Sequence, residues 1–518
     1  MIVNENYWNN FTVTDDDLEA IYNFLLETES PLDKFDLTRF LIDRTIQNLE
    51  NSLLKEEKSR GESYLPEKEY KPGDILRFPA RNYATGKVTS VRSGNNPDFP
   101  ELQVIDVEMA TGESTLFAAN LRDHKLNHPT PVVKQKYLDR DQVYEEFSSI
   151  ISERLVERCA TSKDLVCIAK HYFPRALLFD IGIGHLNLCE AVLEMASGGP
   201  MTTMDLIAQI ELPTGNNERL TEFSLNFALE QDGRFDEVGP AGVTLWFLKR
   251  LEPVEVQKPP HTLLFTATLP ENREDLIGFV ELNRLVDDEL ESTEEVEKRD
   301  ETTITLSYPH WRAGTMPLTE KNRSIFPTAY ETPRVKFLFI DGNTHESFSG
   351  WVVRPNRYVY GLREWYLQQG IIPGSIITIK RSRNPEEVIV QTSKSKSSRD
   401  WIKTVLVGTD GGIVFALLKQ VITCTYDERM AIMVPDVESV DAIWTNTARS
   451  KQPLEKTVLS VMREMVKLNL QNQIHAQELY SSVNVIRRVS PSQVLATLYS
   501  QPWAKHLGDL YFKLEESA

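Results

Sequence analysis

The chain has 518 residues, with 57 Lys and Arg against 76 Asp and Glu, for a formal net charge of −19. That length exceeds one ordinary hydrophobic core and predicts several domains. The negative balance argues against adhesion of the whole molecule to nucleic acid, because phosphate binding relies on Lys and Arg displacing counterions, but it leaves room for a basic face on one domain.

No window of about 18 consecutive apolar residues occurs, so no membrane contact is expected. The acidic start MIVNENYWNNFTVTDDD lacks the basic and apolar regions of a secretory signal. Cys159, Cys167, Cys189 and Cys424 form no CxxC pair, which predicts reduced cysteines in a cytoplasmic protein rather than a zinc ribbon or a dithiol site.

In chain order, residues 1–62 read as a helical lead-in. Thr14 before three aspartates is N-cap chemistry, and Leu18, Ile21, Tyr22, Leu25 and Leu26 give a helical stripe. Pro31 breaks that helix, and a second runs over about Leu37–Lys58. Residues 63–130 change to short strands separated by Pro-Gly, Thr-Gly and Gly-Asn-Asn-Pro turns, with Arg77, Arg81, Lys87 and Arg92 as a modest basic set.

Residues 131–252 begin with helices, Leu165–Ala169 among them. GHLNLCEAVLEMASGGP, MDLIAQIEL and LTEFSLNFALEQ follow as three more, closed by the hairpin FDEVGPAGVTLWFLKRL. Residues 253–304 hold VDDELESTEEVEKRDETT, charged and poor in apolar residues, which reads as a solvated acidic linker.

Residues 305–445 reverse the local charge. Strands are predicted at Val335–Ile340, Trp351–Val353 and Ile376–Lys380, and short helices at Gly361–Gln369 and Ile413–Gln420. Arg334, Lys336, Arg354, Arg357, Arg363, Lys380, Arg381 and Arg383 gather here, extended by Lys394, Lys396 and Arg399. Residues 446–518 repeat the earlier plan: HAQELYSSVNVI matches TTMDLIAQIEL, Ser490-Pro491 opens a third helix, and GDLYFKL matches GVTLWFL.

Three resemblances follow from these stretches. YKPGDILRF with GKVTSVRSG resembles an SH3-like barrel of the KOW and Tudor kind. Met204–Leu206, Phe235, Val238–Gly239 and Trp246–Leu248 resemble the winged HARE-type helix-turn-helix of the bacterial RNA polymerase delta subunit. MPLTEKNRSIFP, RVKFLFIDG, SGWVVRPNRYVYGL and IPGSIITIKR resemble the DNA-binding pseudobarrel of plant B-three-type transcription factors and restriction-enzyme recognition domains. The expected fold class is α+β and multidomain: an SH3-like small barrel, two winged-helix units and a pseudobarrel-like β domain.

The pseudobarrel resemblance implies groove contacts by Arg312, Lys321, Arg323, Arg354, Asn356, Arg357 and Tyr358, with Lys380, Arg381 and Arg383 widening the positive area. Arg487, Arg488 and Lys505 make the C-terminal winged helix the more basic of the two. The third helix of the first carries Glu222 and Glu230, which suits protein contact.

No Walker A, HExxH or GxSxG motif occurs. His124 and His128 lie in a loop, and Asp427–Glu428 lacks a nuclease-like spacing. Neither catalytic residues, a metal nor a cofactor is therefore expected. The reading is a non-enzymatic, transcription-associated or nucleoprotein-assembly protein of bacterial type. Its partners would be double-stranded DNA and a protein, with RNA polymerase or a defence complex as candidates. The rival readings are a protein–protein scaffold without nucleic acid and the DNA-recognition subunit of a restriction or phage-defence system.

Overall fold

The computed structural model describes residues 5–59, 62–78, 81, 84–110, 112–127, 139–214, 217–293, 296–330, 332–408, 411–450, 452–469 and 471–515, without the side chains of 53–59, 62, 394–398 and 448. His128, residues 131–138, 294–295 and 409–410, and the side chains of Lys394 and Lys396 lie outside this set. The protein is mixed α/β, with 15 α-helices and six sheets among the described residues. It divides into two compact units, Met1–Phe179 with Gly215–Phe223, and Asp180–Thr214 with Ser224–Ala518.

One layout occurs three times: helix, short strand, helix, helix, hairpin. In each, the first strand pairs with the last, which pairs with the middle one. Helices Ile183–Met195, Thr203–Gln209 and Glu218–Gln231 go with strands Met201–Thr202, Phe235–Glu237 and Leu245–Leu248. Helices Leu454–Val466, Ala476–Val483 and Pro491–Ser500 go with Gln473–His475, Ala504–Gly508 and Tyr511–Leu514.

The third set lies in the first unit and was not foreseen. Helices Asp15–Thr28, Lys34–Ser59 and Arg140–Ala160 go with Leu32–Asp33, Leu165–Ile168 and His171–Pro174. Leu165–Ala169, expected as helix, is thus a strand and the start of a turn: Ala169 and Lys170 both have positive φ, which a helix forbids.

The same local device starts the second helix in all three. The residue ending the first strand caps it: Asp33 Oδ1 accepts from Phe35 and Asp36 N–H at 2.7 and 2.9 Å, Thr202 Oγ1 from Asp205 N–H at 3.1 Å, and His475 Nδ1 from Gln477 N–H at 3.2 Å. In the first unit a five-stranded antiparallel-rich sheet, Glu62–Ser63 to Ser114–Ala119, is inserted between the second and third helices. It closes on Tyr64, Leu76, Phe78, Val88, Ile105 and Val107.

The second unit is centred on a curled seven-stranded sheet ordered Glu301–Thr305, Ile376–Arg381, Glu387–Gln391, Arg334–Asp341, Ser347–Val353, Tyr358–Tyr360, Thr315–Pro317. Only the third and fourth run parallel among these. Short helices Tyr308–Ala313 and Arg363–Gln369 flank it. Val335, Phe337, Phe339, Val352, Val359, Ile377, Ile379, Val388 and Val390 fill its interior. Each such side chain contributes about 1.5–3 kcal/mol by burial.

A long hairpin follows, Lys394–Val407 with Ile413–Cys424. The expected helix over Ile413–Gln420 is therefore a strand. Its apolar run IVFALL has no helical period to enforce, and Phe415 and Ile422 are buried on opposite faces of the ribbon.

Candidate interaction site: a curled sheet bound by its own acidic strap

The residues following helix Phe279–Leu285 spell Val-Asp-Asp-Glu-Leu-Glu-Ser, the most acidic part of the expected linker. They are not solvated: Asp288, Glu289, Glu291 and Ser292 are each less than a tenth exposed. Burying ionised carboxylates costs several kcal/mol apiece unless each finds a charged or hydrogen-bonding partner, and each has one.

Asp287 takes Lys321 Nζ at 2.7 Å and Thr305 N–H at 2.8 Å. Asp288 holds Arg488 through both guanidinium ends, at 2.7 and 3.1 Å, and accepts from the Tyr480 hydroxyl. Glu289 meets Arg488 Nη2 at 2.8 Å and His310 Nε2 at 2.8 Å, and His310 Nδ1 lies 2.9 Å from Thr315 Oγ1. Glu291 accepts from Ser492 Oγ and lies 3.3 Å from Arg273 Nε. Ser292 accepts from Glu320 N–H at 3.0 Å, and its carbonyl accepts from Arg357 Nη1 at 2.9 Å.

Electrostatics follows the geometry. Burial alone would raise the Glu289 carboxyl, but the charges of Arg488 and His310 outweigh it and hold it at about 2. Burial raises Asp288 despite Arg488, and the adjacent Glu289 charge adds to that rise. Of the two carboxylates sharing one guanidinium, Asp288 takes a proton first as pH falls.

Two further cations of the curled sheet, Arg334 and Lys336, are also engaged by the chain itself. Arg334 Nη1 bridges Asp236 at 2.6 Å and Glu252 at 3.1 Å. Lys336 Nζ lies 4.4 Å from the Phe247 ring centre and 5.6 Å from that of Trp351, and donates to Gly199 O at 3.3 Å. These contacts, with Phe247 edge-on to Trp351, fix the hairpin Phe235–Leu248 to the curled sheet. Opposite Arg334, Glu252 is pushed up to about 8, by burial first and then by its hydrogen bond with Asp236.

The residues expected to face a DNA groove are therefore distributed differently. Arg312 grips Asp441 at 2.5 Å, Lys321 grips Asp287, and Arg323 Nη2 lies 3.5 Å from Ser292 Oγ. Arg354 donates to Thr332 O at 2.9 Å, while Asn356 stands exposed at the turn. Tyr358 is buried, its hydroxyl 2.5 Å from Glu255 O, so it offers no group to a groove.

Lys380 pairs with Glu301 at 3.3 Å and Arg381 with Asp300 at 3.0 Å, both at the surface; Arg383 is exposed. Arg487 donates to Gln452 O at 2.5 Å, and Lys505 lies 3.3 Å from Glu515 at an exposed position. Arg488 is 5% exposed and inside the carboxylate cluster, so it cannot meet a phosphate in this fold.

Sequence reasoning missed His310, Asp288, Glu289, Asp236 and Glu252. It also missed Lys403, which is buried in the hairpin with its Nζ 3.0 Å from Glu478 and 2.5 Å from Arg429 O. The one available signal was the acidic run standing just before the basic one. Among the described residues, no group of three or more His, Cys, Asp and Glu is placed to hold a metal, and no helix is long and apolar enough to cross a membrane.

No family model matches the chain, and no curated protein or solved structure proved similar to it.

Proposed function

We propose that the chain is a non-enzymatic assembly scaffold. A pseudobarrel-like body carries winged-helix-like modules in fixed positions, an SH3-like insert belongs to the N-terminal unit, and outward surfaces meet other proteins. One observation carries the reading: Arg312, Lys321, Arg334, Arg357 and Arg488, five of the cations that would clamp a DNA backbone, are tied to carboxylates and carbonyls of the chain itself.

The third helices of the three repeated layouts support it. In a DNA-reading winged helix this element enters the major groove with a basic face. Here Arg140–Ala160 exposes Glu145, Glu146, Glu153 and Glu157, Glu218–Gln231 carries Glu218, Glu222 and Glu230 against Arg219, and Pro491–Ser500 has no charge and is largely buried.

A second reading, duplex DNA binding by the barrel, is favoured by the strand order of the curled sheet and its two short flanking helices. It would draw on Arg354, Asn356, Arg383 and Lys505, with the transcription machinery or a defence complex as protein partner. Titration of the full chain with random duplex DNA over a salt series separates the two. The scaffold reading expects weak or no binding. Tight binding that falls steeply with salt, the mark of released counterions, would overturn it.

A further inference from the structure

The hairpin strand Ile413–Cys424 stands at one side of its three-stranded sheet, with Lys394–Val407 inward and no strand on its outer side among the described residues. At the turn, Gly408 N–H donates to Gly412 O at 2.8 Å. Hydrogen-bonded and non-hydrogen-bonded pairs alternate in an antiparallel ribbon. Even-numbered residues from Val414 to Ile422 therefore bond inward, and odd-numbered ones from Ile413 to Val421 direct N–H and C=O outward. Natural edges are guarded by charge, proline, bulges or covering loops. This strand, IVFALLKQVITC, has one charge, Lys419, and no proline or glycine. Leu417, Leu418 and Val421 are 42%, 39% and 57% exposed, so apolar side chains stand bare on both faces at the middle of the strand, between the buried Phe415 and Ile422.

We propose that this edge pairs with the same edge of a second copy of the chain, antiparallel about a two-fold axis at Leu417. Such an axis requires paired residues to share a face, hence to have numbers summing to an even value. Centred on Leu417, it sets Leu417 against its own copy, Ile413 against Val421 and Phe415 against Lys419. All of these direct their backbone groups outward, so the ladder closes. The two Lys419 side chains are then four residues apart along the ribbon, about 14 Å. Centring on Lys419 instead would place like charges directly opposite, which is destabilising. The strand is thus self-complementary in the register its own pattern favours, and a second copy is the occupant that supplies this pattern.

The pairing does not rest on the scaffold reading: salt-steep DNA binding would overturn that reading and leave the dimer measurement untouched. The test is sedimentation of the full chain from about 1 to about 100 µM, where mass action populates a dimer. Expected is a concentration-dependent dimer, weakened at least tenfold by Leu417→Lys and unchanged by Leu406→Lys. Leu406 lies on the inner strand and is 41% exposed, so both variants replace surface side chains, and far-ultraviolet dichroism should match the parent. A short bismaleimide should also join two Leu417→Cys chains and not two Leu406→Cys chains. A monomer throughout the range, which would leave the edge to an extended strand of a different protein, overturns the proposal. A dimer indifferent to Leu417→Lys does so equally.

Discussion

Arg488 donates to Asp288 at 2.7 Å across two hundred residues of chain, with both side chains shut away from water. The pair fastens the module of Leu454–Leu514 to the segment that leads into the curled sheet. Replacing Arg488 by Met leaves buried Asp288 without its counter-charge and Glu289 with His310 alone, a change that costs about 3–5 kcal/mol when one partner of a buried pair is removed. Faster hydrogen exchange across helices Ala476–Val483 and Pro491–Ser500 should report the loss. Adding Asp288→Asn and Glu289→Gln should restore part of the protection, and no recovery would show that the arginine acts through packing alone.

The Glu252 carboxyl gives a pH dependence of defined sign. Its folded pKa of about 8 lies above its ordinary value of 4.5, so the folded state holds the proton more tightly than the unfolded chain. That contribution is complete below pH 4.5, shrinks as pH rises, and is gone above 8. The slope has an upper limit of about 1.4 kcal/mol per pH unit. Glu252→Gln should remove this fall, so the difference in unfolding midpoint between variant and parent should widen in the variant's favour from pH 5 to pH 8. Parallel curves would refute the role given to Glu252.

Much of the local structure was legible because it is written in neighbouring residues. Thr14 with Asp17, and Ser490 with Pro491 and Gln493, form the caps their spacing calls for. Strands Arg334–Asp341, Ser347–Val353 and Ile376–Arg381 follow their alternation. The acidic strap was not legible. A run such as Asp287–Glu291 looks the same to any window whether its counter-charges are water or an arginine two hundred residues away. Ile413–Gln420 failed for a different reason: a run apolar on every side suits a buried helix or a strand packed on both faces, and only the partner strand decides.

Arg354 and Arg357 are two of the residues expected to read DNA, and the structure gives them unequal structural weight. Arg357 sits at φ 54 in its turn with Nη1 on Ser292 O, whereas Arg354 is exposed with one carbonyl contact. Arg357→Ala should lower stability by about 1–2 kcal/mol through a lost charged hydrogen bond in a strained position; Arg354→Ala should change it by less than about 0.5 kcal/mol. Denaturant midpoints check both. Duplex affinity reduced by Arg354→Ala alone, with stability unchanged, would return the curled sheet to a DNA role.

Gly374 offers a steric test. Its φ is +91, and an added Cβ would lie 2.4 Å from the backbone of Ala431. Its N–H meets Leu306 O at 2.6 Å and its carbonyl takes Asp427 N–H at 2.9 Å. Gly374→Ala combines a forbidden backbone region with a clash against main chain that cannot swing aside, and should cost more than about 2 kcal/mol, read as a lowered unfolding midpoint. Gly411, also at positive φ but with open space around it, provides the control: its alanine variant should lose about 1 kcal/mol or less.

The sheet inserted between helices Lys34–Ser59 and Arg140–Ala160 has a bearing on how the chain is made. Arg154 reaches back to the carbonyls of Asn9 and Phe11, and Leu32–Asp33 waits for His171–Pro174 as its pairing strand. Helices Glu5–Asn9, Asp15–Thr28 and Lys34–Ser59 are therefore made before helix Arg140–Ala160 and the hairpin they pack on. Their unit is completed only once the insert and the hairpin beyond it have left the ribosome, so residues 5–59 are made before these elements and secured after them.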